Sequence, residues 1–177
     1  RTVGVAWLSS PISENWGMTV LGGGHRQDQA DVDGDGWADL PHYIRGVARP
    51  MLFWDDGQGQ SFFTTAGTTL ENRTGGTQSD AVLPGTGMPY REAIATRRVD
   101  LGMLWQTVPA GRYVLTARAT LARQWHDHQF GDVLERDRHD TGFAETTLRG
   151  SSGRHTWVGG VAIEKDAYAP TDLPRFA

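Results

Sequence analysis

The sequence contains no cysteine, which excludes a disulfide framework, a thiolate zinc site and a thiol nucleophile. It has no run of 18 consecutive apolar residues, so no helix of it can cross a bilayer. Apolar residues make up only 38% of the chain, below the roughly 45–50% of soluble globular domains, and a thick all-apolar core is not expected. Positive charge is also scarce: 17 Lys and Arg against 21 Asp and Glu leave a formal net charge of −4. No basic block long enough to follow a phosphate backbone occurs, which argues against nucleic acid as a partner. RTVGVAWLSS at the N-terminus has neither an initiating Met nor the pattern of a signal peptide, so the chain reads as a processed or excised segment. Catalytic signatures are missing as well, with no G-x-S-x-G, no H-E-x-x-H and no Gly-rich phosphate loop. The Asp55 and Asp56 carboxylates lie in DDGQGQ, a turn sequence, and no enzymatic activity is expected.

The chain is instead rich in glycine and tryptophan, with 23 Gly and 7 Trp in 177 residues. Its dominant period is two, the signature of strands whose side chains alternate between faces. Eight strands are expected, over residues 2–9, 16–25, 42–54, 61–72, 95–106, 112–125, 139–148 and 155–165. In the fifth, Val99, Leu101, Met103 and Trp105 oppose Arg98, Asp100, Gly102 and Gln106, with Leu104 as the exception. The sixth sets Tyr113, Leu115, Ala117, Ala119 and Leu121 against Arg112, Thr116, Arg118 and Thr120. The third and eighth follow, with Ile44, Ala48, Leu52 and Trp54, and with Trp157, Val161 and Ile163, on their apolar sides. Pro50 removes a ladder donor, which predicts a bulge or break there.

The connections alternate in length. PISEN, DDGQGQ, PAGR and SSGR are short, whereas DVDGDGWADLP, RTGGTQSDAVLPGTGMPY and HDHQFGDVLERDR are long. Short turns at one end and long loops at the other are the pattern of an antiparallel outer-membrane β-barrel, with periplasmic turns and extracellular loops. Trp7, Trp16, Trp54, Phe62, Trp105, Tyr113 and Trp157 all lie near the short turns, where an aromatic girdle belongs. An Arg facing lipid at mid-bilayer costs about 2–4 kcal/mol, so Arg118 is expected to face the lumen, with Arg45, Arg49 and Arg98 on the same side of their strands. Arg123 has the opposite parity and would snorkel to headgroups beside Trp125. Short periplasmic turns put both chain ends on the extracellular side. Residues 1–177 are therefore read as one partial barrel domain, a middle portion of a larger barrel.

DVDGDGWADLPHY, RPMLFWDDGQGQSFFTTAG, LENRTGGT, FGDVLERDRHDTGFAE and GRHTWVGG together resemble the β-barrel region of TonB-dependent outer-membrane receptors. The resemblance implies a location in the Gram-negative outer membrane, in contact with its lipid. It also implies a barrel of about twenty-two strands holding a plug domain, and import of a scarce nutrient such as a ferric siderophore, another metal chelate or cobalamin, energised through TonB. Neither plug nor TonB box lies in these residues.

Three clusters are candidate sites. Asp31, Asp33, Asp35, Gly36 and Asp39 form D-x-D-x-D-G-x-x-D, which fits a Ca2+ loop at its first, third, fifth, sixth and ninth positions. Its twelfth position is His42 rather than the bidentate Glu, which excludes a complete helix-loop-helix site, and a solvated acidic loop is the competing reading. His126 and His128 share a face, as two ligands of a transition metal do, although polar rim residues have the same pattern. Glu135 to Asp140 alternate in sign and read as mutually paired surface charges. A second functional class also fits these features: a secreted or surface β-sheet module that uses the acidic calcium loop and Trp-rich strands to hold carbohydrate.

Overall fold

The computed structural model describes residues 1–78 and 81–176. They form β1 (Thr2–Pro11), β2 (Trp16–Gln27), β3 (His42–Asp55), β4 (Ser61–Gly76), β5 (Arg91–Thr107), β6 (Val114–Phe130), β7 (Val133–Ser152) and β8 (His155–Phe176). All eight expected strands are present in order. The only helical element among the described residues is a 3₁₀ turn at Pro109–Gly111. The strands make one antiparallel sheet in sequence order with β1 and β8 at its edges, not closed into a barrel. Pro170, which donates no ladder bond, lies on the edge strand β8, where proline is tolerated.

Three expectations about the strands are corrected. Around Pro50 the β3–β4 pairing skips from Ala48↔Thr68 to Met51↔Thr65, so the ladder has a gap but the register is kept and β3 neither bulges nor breaks. Residues 126–138, read as a long loop, continue β6 and β7 and turn at Gly131 and Asp132. Gly131 has φ 59°, which a two-residue hairpin turn requires at its first central position and which glycine adopts without strain. Trp7 pairs with Leu21, a register that puts it on the opposite face from the other aromatics named above.

Register determines how the strand faces combine. Leu101 is level with Ala66 on one side and with Leu121 and Gly142 on the other, and the apolar parities of β2 to β8 fall on one side of the sheet. Trp16, Trp54, Phe62 and Trp105 are successive register partners and form an aromatic row at the short-turn end of this face. Trp157 packs on Tyr113 with centroids 6.1 Å apart and continues the row. At the other end the same face carries ion pairs, Arg97–Asp127 at 3.5 Å, Arg136–Asp127 at 2.9 Å, Arg123–Asp140 at 2.5 Å and Arg138–Asp140 at 3.0 Å. Between these borders lies an apolar band.

Between β5 and β8 the band slants. Trp105 is level with Ala117, Thr146 and Val161, so its row meets β8 four residues beyond Trp157. Arg97 is level with Trp125, Arg138 and Ala169, four residues beyond Lys165. Both borders thus slide together by about 13 Å across about 14 Å of sheet, equivalent to strands tilted by about 40° to the band. From β2 to β5 the aromatic row runs straight.

The sheet buries little of itself. Its accessible surface is 12139 Å², whereas a compact monomer of 19.4 kDa would expose about 8,500 Å². The buried apolar residues among those described are Ala38 and Tyr43. On the apolar band Leu121 is 60% exposed, Val161 74% and Ile163 72%.

Candidate functional site

The face opposite the band is polar and carries the candidate arginines. Arg45, Arg49, Arg98 and Arg118 all lie on it, each with a carboxylate partner. Arg45 Nε is 3.8 Å from Glu71, which also takes Arg73 Nε at 2.7 Å and the Tyr43 hydroxyl at 3.1 Å. Arg49 reaches Asp100 at 2.8 Å and Arg98 approaches the same carboxylate at 3.7 Å. Arg118 pairs with Glu145 at 2.9 Å and lies over the Phe143 ring.

The Arg49–Asp100 pair spans from β3 to β5 and passes over β4 at Gly67. A Cβ at Gly67 would lie 2.5 Å from both Arg49 Nη2 and Asp100 Oδ2, so the missing side chain is what lets the two strands connect. Arg45, Arg49, Arg73, Arg98, Glu71 and Asp100 line one open depression of about 520 Å³. Four guanidinium groups against two carboxylates leave it net cationic.

Leu104, the exception in its strand, has a local explanation. It is level with Phe63, which is level with Phe53, and the two Phe rings are 5.0 Å apart. They form a small apolar cluster on the polar face near the short turns.

At the far end the connections over residues 28–41 and 77–90 are knitted together. Trp37 stacks on Tyr90 at 5.8 Å, Gln78 N–H donates to the Gly36 carbonyl at 2.8 Å, and Ala38 N–H donates to Gly76 at 2.9 Å. Gly36 has φ 85°, and a Cβ there would sit 2.8 Å from the Ala81 Cβ.

This contact holds the acidic loop. Asp31 accepts from Gly34 N–H at 2.7 Å and Gly36 N–H at 2.9 Å, Asp33 from Asp35 N–H at 3.3 Å, and Asp39 from Val32 N–H at 2.8 Å. The Gly36 N–H, with help from Gly34, holds the Asp31 carboxyl below its ordinary range. Asp33 is held above its range: the Asp35 N–H draws it down, but repulsion from Asp35, Asp39 and Asp31 together with desolvation outweighs that bond. Carboxylate oxygens of Asp31, Asp33 and Asp39 converge within 4.8 Å of one another, a set that suits a hard cation. Asp35, the fourth carboxylate of the motif, is not in that group and accepts from Trp37 N–H at 2.7 Å.

His126 and His128 lie on β6 rather than in a loop, on the polar face, and Asp137 of β7 joins them. Asp137, read in the sequence only as one of a run of alternating charges, gave no sign of joining the histidines, because strand register decides which residue lies opposite. Of the residues expected to form an aromatic girdle, Trp16, Trp54, Trp105 and Trp157 all fall on the apolar face, with Tyr113 against Trp157. No protein-family model, curated protein or solved structure matches this chain.

Proposed function

We propose that this chain forms part of the wall of a transmembrane β-barrel in a Gram-negative outer membrane, of the TonB-dependent receptor kind, that imports a scarce nutrient such as a ferric siderophore or cobalamin. The observation that carries the reading is the bare apolar band, bordered by aromatics at the short-turn end and by ion pairs at the other. In water that band is a liability, since each Leu, Val or Ile left uncovered forgoes about 1.5–3 kcal/mol. Lipid covers it at no cost in backbone hydrogen bonds, because the ladder satisfies the strands. The nine residues from Trp105 to Arg97 extend about 27 Å along the strand, and the slant of about 40° between β5 and β8 agrees with the roughly 35–45° of such barrels. The polar face, with its crossed ion pairs, then becomes the inner wall, next to the plug and the passing solute.

Two measurements test the two parts of the proposal. The intact protein, expressed in Gram-negative cells, is expected to fractionate with outer membranes and to resist extraction by high salt and alkali. Recovery in the soluble fraction would overturn the membrane reading. Cells that depend on it for an iron chelate or cobalamin are expected to lose growth on that nutrient when TonB is deleted, and unchanged growth would overturn the receptor reading alone.

A further inference from the structure

We propose that His126, His128 and Asp137 form a binding site for a divalent transition metal of the Zn2+, Ni2+ or Cu2+ type on the polar face. His126 and His128 are two apart on β6 and therefore point the same way, with ring centroids 5.4 Å apart. Asp137 is the register partner of His126 on β7. One carboxylate oxygen lies 2.8 Å from His126 Nδ1 and the other 3.2 Å from His128 Nε2. One donor atom from each of the three lies within 4.8 Å of the others, against the roughly 3.3 Å between neighbouring ligands of a tetrahedral ion with bonds of about 2.0–2.1 Å, so closing of the side chains around an ion would complete the set.

The donor types select the metal. Two imidazole nitrogens and one carboxylate oxygen suit borderline transition ions and are poor for Ca2+ or Mg2+, which take oxygen. The site is partly withdrawn from water, with side chains 18%, 22% and 11% exposed. It also has outer support of the kind that orients metal ligands. The Tyr168 hydroxyl donates to Asp137. Three protein ligands leave at least one position open, and that position faces the polar side of the sheet, where a chelating solute or water would complete it.

The site depends only on the polar face and stands whether or not the opposite face meets lipid. The test uses the full chain in detergent, stripped with a chelator and titrated with Cu2+ and with Co2+. One equivalent is expected to bind, with nitrogen hyperfine structure from two imidazoles in the Cu2+ electron paramagnetic resonance spectrum. His126→Asn and His128→Asn should each weaken binding by tenfold or more, and Asp137→Asn should shift the Co2+ absorption. His155→Asn, at the short-turn end, should change nothing. Circular dichroism confirms that each variant keeps its strands. Binding that survives the double His126→Asn, His128→Asn change, or that is lost equally with His155→Asn, would overturn the assignment.

Discussion

Ala119 and Thr120 are neighbours on β6 that face opposite sides of the sheet, and arginine at each separates the membrane reading from any soluble one. Ala119 is level with Met103 and Ala144 in the apolar band, between Tyr113 and Arg123, the band's two borders on this strand. Thr120 is level with Gly102 and Phe143 on the polar face. If lipid covers the band, Ala119→Arg puts a charge near the bilayer midplane and costs about 2–4 kcal/mol, a drop of about 30- to 700-fold in the folding equilibrium. Thr120→Arg meets the wet side and is expected within about 0.5 kcal/mol of the parent. Leu115→Arg, two residues from Tyr113, lies near the rim and is expected in between, because the penalty falls to about 0–1 kcal/mol toward the interface. The assay is urea unfolding of the intact protein in phosphatidylcholine vesicles, followed by tryptophan fluorescence. In water an arginine on an exposed face changes stability by no more than about 0.5 kcal/mol. Equal costs at 119 and 120, or a larger cost at 120, would refute the assignment of faces.

Other perturbations address single contacts. Gly67→Ala is expected to push Arg49 and Asp100 apart and to cost about 0.5–1 kcal/mol in urea unfolding, with the loss nearly absent in an Asp100→Asn background; an undiminished loss there would place the strain elsewhere. Gly36→Ala should release the contact between the two long connections by forcing a side chain onto φ 85° against Ala81, a strain of about 1–3 kcal/mol, visible as increased quenching of Trp37 by iodide. The acidic loop should loosen in acid. The Gly36 and Gly34 N–H groups hold the Asp31 carboxyl below its ordinary range, so its stabilisation is fully present above that ordinary range and is lost as pH falls through the lower folded value. An NMR titration of the Gly36 amide should follow this loss, and Asp31→Asn should abolish it; an amide shift that persists in Asp31→Asn would assign the transition to another group.

Strand order and faces were legible in the sequence because alternation is a local property. Trp105, Met103, Leu101 and Val99 declare their side without reference to any neighbour, and the tight turns name their own residues. Legibility failed where both faces of a strand are charged. Between His126 and Arg138 the apolar face carries Asp127, Arg136 and Arg138 while the polar face carries His126, His128 and Asp137, so no period-two contrast remains and the segment looks like a loop. Cross-strand ion pairs hold it as a hairpin instead. Trp7 failed for a related reason, since Leu8 beside it is apolar too and the edge strand has no clear side. The third metal donor and the Trp37–Tyr90 stack were not legible at all, because each depends on which residues register and loop packing bring opposite one another.

The polar face clarifies why a sheet with so small a core can be specified. If lipid covers the band, its apolar side chains do not choose partners, since lipid accepts any of them, and the band by itself would tolerate a slip of two residues between strands. The charged face would not. A two-residue slip of β5 against β4 would carry Asp100 away from Arg49 and Gly67 together, stranding a carboxylate that is only 13% exposed beside a position where any other side chain would collide. The same slip between β6 and β7 would move Asp137 out of register with His126 and Glu145 out of register with Arg118. Each such error leaves a partly buried charge without its partner, a larger loss than the modest gain of the pair itself. On the proposed membrane reading, register is thus written on the polar face and membrane affinity on the apolar one. Removing paired charges from the polar face should therefore broaden the register of neighbouring strands before it lowers membrane association.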